Sequence, residues 1–421
     1  MSGKCLLRHL YAVIFFAALT SGNAYGFTPL PQCPYQSQES IDQLYRQYEK
    51  ALKEKDALSI KIYLRLLQCA IGPARSDISE KYIARFFDKP VNLPMEMRKD
   101  ILKTYWNIQQ EKLHTLKNET GKRPESPHSL TYLSNFIEGA VRNRSVLPDE
   151  KADDIMHDAM KAGDRIVSVQ QKVSRSVVPM PAPENKLLPD DYLFEGWMVE
   201  DAGDGKLYET NAKHGLSLLE LHKTTGEEQY LLAARLSGEW ARRQPLVLNF
   251  HYNGYNAMLL AALYKQTSHT PYLEDALEFA RLGVMQGQYE SGEDKGHWLF
   301  PASNRLENMA LITRQLAALF DAMPKDHLYF EDVGESLSNA INAVEDKMIK
   351  NRGFQPNAEM YLLYCTLENL PEAKKVFLED NAIIKNSLWV FAWSVLLNLP
   401  DKPKHWTDIL RPDVTGCIFS L

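Results

Sequence analysis

Apolar positions recur at intervals of three and four along almost the whole chain, and the alternation expected of a strand is nearly absent. Segment 40–54 sets Ile41, Leu44, Tyr45 and Tyr48 on one stripe, which predicts an amphipathic helix, and 57–69 follows to close a hairpin. The same period predicts helices over 76–87, 95–116, 129–141 and 149–173. Most of them open on a cap residue or a first-turn acid, such as Ser76 with Asp77, Ser129 or Asp149. Four prolines in VVPMPAPENKLLPDD, residues 177–191, cannot continue a helix and mark a linker. Segment 192–206 contains Asp201-Ala-Gly-Asp-Gly205, the place for a turn or short hairpin. The expected organisation is an N-terminal helical region (27–176), the linker, an array of αα-hairpins (192–400) and a tail (401–421).

From Leu207 onward the sequence repeats itself. Leu221–Ala234 and Leu263–Ala276 share the frame L-x-K-x-T, four residues, Y-L-x-x-A, with the second copy 42 residues after the first. Read physically, this is a helix, a tight polar turn and a second helix. Tyr230 and Tyr272 are expected to pack back onto the helix before them. A period in the low forties suits a long αα-hairpin better than a tetratricopeptide unit of about 34 residues. A second repeat, Asn211-Ala212, Asn256-Ala257, Asn308-Met309 and Asn357-Ala358, sits at the start of each leading helix, with Asn386 as a degenerate fifth member. Such asparagines read either as N-caps or as groups converging on one cavity.

Composition fixes the class. With 45% hydrophobic and 24% charged residues in 421, the chain is an ordinary globular protein. Its 48 Lys and Arg against 54 Asp and Glu give a net charge of −6, which disfavours a general nucleic-acid binder. Residues 1–26 carry Lys4 and Arg8, a short apolar run from Leu10 to Leu19, and Ala24-Tyr25-Gly26 as a cleavage site. That pattern predicts a signal peptide, no stable membrane anchor, and a soluble periplasmic or secreted product. Of the remaining cysteines, local pairing of Cys33 with Cys69 and of Cys365 with Cys417 would staple each end of the chain, one of three possible connectivities. None stands in Cys-x-x-Cys, so neither a zinc site nor a thioredoxin-like site is expected.

The hairpin period and turn frame over 192–399 resemble the α/α-toroid class, closed rings of helical hairpins that include six-hairpin glycosidases, N-acylglucosamine 2-epimerase-like proteins and several polysaccharide lyases. The resemblance implies an all-α toroid-like fold and a carbohydrate-active role. Asn249-Phe-His-Tyr-Asn-Gly-Tyr-Asn256 resembles the Asn- and His-rich helix start of alginate- and heparin-type lyases, with Phe250 where that pattern has a second Asn.

Elimination beside a uronate carboxylate needs the carboxylate neutralised and a base to take the neighbouring proton. His251 and Tyr255, four apart, share a helix face and are the candidate bases, and Glu307 is a second acid or base. Asn256 and Arg305 are expected to neutralise the acid group. Asn211, His214, Tyr252 and Asn308 are expected at the same mouth, and Trp298 at its edge as a stacking platform. Glu209 with Glu307 would make the carboxylate pair of a glycosidase, with Glu359 a third possibility; Glu307 alternatively completes a capping box with Asn304. Motifs of metalloproteases, serine hydrolases, nucleotide hydrolases and dinucleotide enzymes are absent, so no metal or cofactor is expected. The expected partner is a poly- or oligosaccharide, acidic or amino-sugar in type, processed by a lyase, hydrolase or epimerase, with a role in exopolysaccharide processing. The alternative is a non-catalytic module binding a polysaccharide or envelope protein, suggested by the tetratricopeptide-like hairpin at 40–70. Composition and spacing leave the oligomeric state open.

Overall fold

The computed structural model describes residues 38–71, 93–119, 127–172, 193–194, 197–198, 206–350, 358–370, 396 and 411–420. These residues form helices α1 (Gln38–Glu54), α2 (Ala57–Ile71), α3 (Met95–Glu119), α4 (Pro127–Asn143), α5 (Asp149–Lys172), α6 (Lys206–Thr225), α7 (Glu228–Ala241), α8 (Phe250–Thr267), α9 (Thr270–Gly283), α10 (Leu306–Ala322), α11 (Phe330–Lys350), α12 (Ala358–Asn369) and α13 (Pro412–Ser420). One hairpin, β1 (Leu193–Phe194) with β2 (Trp197–Met198), falls in the segment expected to turn. The helix expected over 76–87, the proline-rich linker and the signal segment lie outside the described residues.

Six helices close a ring. α4 packs on α6, α6 on α8, α8 on α10, α10 on α12, α12 on α13, and α13 returns to α4. A second layer covers them, with α5 on α4, α7 on α6, α9 on α8 and α11 on α10, while α3 lies against α13, α4 and α5. The fold is an all-α toroid, as the hairpin period led us to expect. The ring takes α4 from before the proline-rich segment and α13 from the last helix of the chain's described residues. Prolines break a helix, but they do not stop the helices on either side from packing, and α5 touches both α6 and α7.

The turn frame explains the repeat. Thr225 Oγ1 donates to the Leu221 carbonyl at 2.8 Å and accepts from the Glu227 amide at 3.2 Å; Thr267 does the same with Leu263 at 2.7 Å and His269 at 3.3 Å. The next residue is left-handed in both copies, Gly226 at φ 75° and Ser268 at φ 56°. The hydroxyls of the two tyrosines reach beyond their own hairpin and stitch the outer layer. Tyr230 on α7 donates to Asp164 of α5 at 2.9 Å, and Tyr272 on α9 donates to Glu239 of α7 at 3.0 Å. Each phenol reaches one hairpin back because its hydroxyl needs a partner where the carbon ring is buried.

At the closing seam, a Cβ on Gly139 of α4 would run into the Pro412 carbonyl, and one on Gly416 would lie 2.9 Å from the Gly139 Cα. Asn143 donates to the Gly416 carbonyl at 3.0 Å and accepts from the Trp106 indole of α3 at 3.1 Å. On the other flank a disulfide joins Cys365 of α12 to Cys417 of α13, with Cα atoms 5.8 Å apart. Cys33 and the side chain of Cys69 lie outside the described residues. Glu359 and Arg411, each six residues before its cysteine, form an ion pair at 3.2 Å, so α12 and α13 run parallel in one register. A crosslink spanning 52 residues stabilises by about 4 kcal/mol through loop-closure entropy. The double variant Cys365→Ala/Cys417→Ala is expected to lose stability on that scale in chemical denaturation; an unchanged midpoint would show that the packed seam holds α13 unaided.

Candidate functional site

Charged and phenolic side chains from all six ring helices meet at the centre. Lys213 of α6 sits 2.5 Å from Glu209 Oε1, and the Tyr255 hydroxyl of α8 donates to the same oxygen at 3.5 Å. Arg314 of α10 lies 3.4 Å from Glu359 Oε2 of α12, while Arg411 holds Glu359 Oε1 and grips both oxygens of Asp413 at 3.1 and 2.5 Å. From α4, Arg142 pairs with Glu138 at 3.7 Å and donates to the Asp413 carbonyl at 3.5 Å. Arg314 is the one cation of α10, in mid-helix, and it is buried. Buried charges cost desolvation energy that pairing only partly returns, so this layer is a poor way to hold a ring together.

The protonation states follow from burial and neighbours. Burial works against the Glu209 carboxylate, but Lys213, His251 and Arg411 outweigh it and hold its pKa below the usual range. Burial likewise opposes the charged Arg411, yet Asp413 and Glu359 push its pKa well up, and Arg411 in turn keeps Asp413 low. Glu138 is raised, first by burial and then by Asp413. Burial, with Glu209 and Glu359 adding to it, drives the Tyr255 phenol well above its ordinary value. His251 is lowered by burial, against the pull of Glu209, and its Nδ1 is buried without a hydrogen-bond partner among the described residues.

Against the layer lies a cavity of about 240 Å³ lined by six cations (Arg142, Lys213, Lys223, Lys265, Arg314 and Arg411) and three carboxylates (Glu138, Glu220 and Asp413), with Leu216, Met258 and Leu370 as apolar wall. The counter-ions Glu209, Glu359 and Asp321 stand behind that lining. Among the described residues no three His, Cys, Asp or Glu side chains gather as metal ligands.

The structure divides the sequence-predicted residues. His251 and Tyr255 join the layer through Glu209, and the Tyr252 ring lies against His251, tilted by 50° with centroids 4.1 Å apart. Burial and two carboxylates keep the Tyr255 phenol protonated, as the donor of its hydrogen bond to Glu209. Asn211 is buried and donates to the Ser237 carbonyl of the outer layer at 2.9 Å. Asn256 is fully buried with both amide atoms unpartnered among the described residues. Neither caps a helix. Asn308 ties down the loop before α10 by donating to Ala302 at 2.8 Å. Trp298 is buried, not an exposed platform, because Asn304 clamps its backbone amide at 2.8 Å and its carbonyl as well; that clamp also leaves Asn304 out of a capping box. Arg305 and Glu307 lie exposed at the first turn of α10, with no ion pair to the layer among the described residues. Sequence reasoning passed over Lys213, Arg314, Arg411, Asp413, Glu138 and Arg142. The readable signals were Arg314 alone on an apolar stripe and the Glu209–Lys213 spacing of four.

His214, expected at the site, is instead buried between α6 and α4, with Nδ1 2.6 Å from Ser134 Oγ. Burial first, then Lys213, lowers its pKa from 6.5 to about 3, so the folded protein holds it neutral. The unfolded chain protonates first as pH falls, so this contribution is complete above pH 6.5 and lost on the way down toward pH 3, at most about 5 kcal/mol. Between pH 6.5 and 4.5, above the carboxylate range, the stability of His214→Gln is expected to fall less steeply than that of the parent in urea titrations. Equal slopes would mean that His214 is not held neutral.

No family model and no curated protein matches the chain. Among solved structures it is similar to a protein described as "Glycosyl hydrolase family 88 from Bacteroides vulgatus", at 10% identity and a TM-score of 0.44, over 75% of this chain and 98% of that one.

Proposed function

We propose that the protein is a carbohydrate-active enzyme of the lyase type, drawing an anionic saccharide into the lumen of the ring and eliminating beside its carboxylate. The observation that carries this reading is that buried cations, a neutral imidazole and a protonated phenol share one layer of a closed helical ring. Arg314 and Arg411 would take the uronate carboxylate: each guanidinium has five donors, and Arg314 Nε is buried and unpartnered among the described residues. With that carboxylate neutralised, His251 accepts the C5 proton and the electron pair left behind forms the C4–C5 double bond. The C4–O bond breaks, and Tyr255 donates its proton to the leaving oxygen. Glu209, ionised beside both, orients the phenol and stabilises the imidazolium that forms.

The expected setting is the periplasm or the exterior, in processing of an acidic polymer such as an exopolysaccharide. The Cys365–Cys417 disulfide fits an oxidising compartment, and among the described residues no helix is long and apolar enough to cross a membrane.

A panel of uronate polymers, followed by the ultraviolet absorbance of unsaturated products, tests the chemistry. Turnover is expected, with His251→Ala and Tyr255→Phe each at least about 100-fold slower at unchanged melting temperature. New reducing ends without absorbance would mean hydrolysis, binding without products would mean a binding module, and neither would remove the reading altogether.

A further inference from the structure

We infer that the cavity against the charged layer is a second level of anion recognition, so that the preferred ligand is a saccharide carrying at least two acid groups; the inference rests on the anionic-saccharide reading above. Its geometry comes from α6. Lys213, Leu216, Glu220 and Lys223 all line the cavity, at the spacing of three and four that puts them on one face. Lys213 belongs to the layer, and Lys223, ten residues on, stands about 15 Å further along the helix axis. Lys265 in the last turn of α8 lines the same cavity, while Arg142 of α4 turns its guanidinium back to Glu138 and the Asp413 carbonyl in the layer. Two neighbouring ring helices thus each bring a cation to the far end.

Between the two cationic levels the wall is apolar, with Leu216, Met258, Ala262 and Ala318. A single carboxylate needs only one level. A ligand with an acid group at each end and sugar ring faces between them meets the sequence of charge, apolar wall and charge. The far cations have one structural reason to be there, since helix C-termini carry partial negative charge and favour a nearby cation. That reason does not make them face a cavity. It also does not extend to Lys213 or Arg314, which stand in mid-helix, or to Arg411, which precedes its helix.

The pairings identify which variants keep the fold. Lys223 pairs with Glu220 at 2.8 Å, both about half exposed, so Lys223→Gln is expected to fold normally. Lys265 holds Asp321, whose side chain is 3% exposed, at 2.7 Å; Lys265→Gln keeps an amide donor there.

The test is calorimetric binding of galacturonate and its dimer and trimer, in His251→Ala protein to prevent turnover. The dimer or trimer is expected to bind at least tenfold more tightly than the monomer, with a gain that shrinks as salt is raised. Lys223→Gln and Lys265→Gln should each remove most of that gain and leave monomer affinity within about twofold. Affinity independent of chain length, or a gain that neither variant touches, overturns the two-level site while leaving the saccharide reading standing. Failure of all three uronates to bind overturns both.

Discussion

A ring of helices is only as fixed as the contact between its last member and its first, and here that contact is backbone against backbone. Gly139 and Gly416 allow α4 and α13 to approach more closely than any side chain would permit. A glycine inside a helix costs about 1 kcal/mol against alanine, so its use at the seam marks a place where distance matters more than helix propensity. Asn143 spans the seam and is itself held by Trp106 from the outer layer. The disulfide fixes the opposite flank of α13. Between these two anchors a nine-residue helix is held tightly enough for Arg411 and Asp413 to meet charges from other ring helices.

The centre reverses the usual economy of a core. The outer shell of the ring is held by buried leucines, alanines and tyrosines, which supply the hydrophobic stabilisation of an ordinary domain. The lumen instead holds arginines, lysines and carboxylates in a connected set of pairs. Leucine or methionine at those positions would pack without a desolvation cost. On the proposed function, charges kept in such a place would serve a ligand that exchanges its own acid groups for the solvent the arginines have lost. The same enclosure explains why the phenol and the imidazole are both held neutral, since burial disfavours the charged form of each.

Much of this architecture was legible in the chain. The Leu-x-Lys-x-Thr frame is a real structural unit, because its threonine closes one helix and starts the next, and the residue after it must turn left-handed. Periodicity therefore found the hairpins. It did not find the ring's membership, because closure is a long-range event: nothing near Arg411 says that it returns to α4, and a proline-rich stretch looks like a boundary whether or not packing continues across it. For the site, the Asn-and-His cluster led to His251 and Tyr255 through local resemblance. Asn211, Asn308 and Trp298 are taken up by other contacts, because a polar or aromatic residue at a helix start serves loop geometry as readily as a ligand. The mid-helix cations were visible as interruptions of apolar stripes, and that signal pointed closer to the centre than the helix starts did.

The central claim is that the charged layer serves ligand binding and not the fold. The combined variant Arg314→Met, Glu359→Leu, Arg411→Met and Asp413→Asn, compared with the parent by thermal unfolding and by calorimetric titration with galacturonate oligomers, tests it most directly. The account predicts a protein at least as stable as the parent that no longer binds the oligomers. A variant that fails to fold, or one that folds and binds as before, would contradict it.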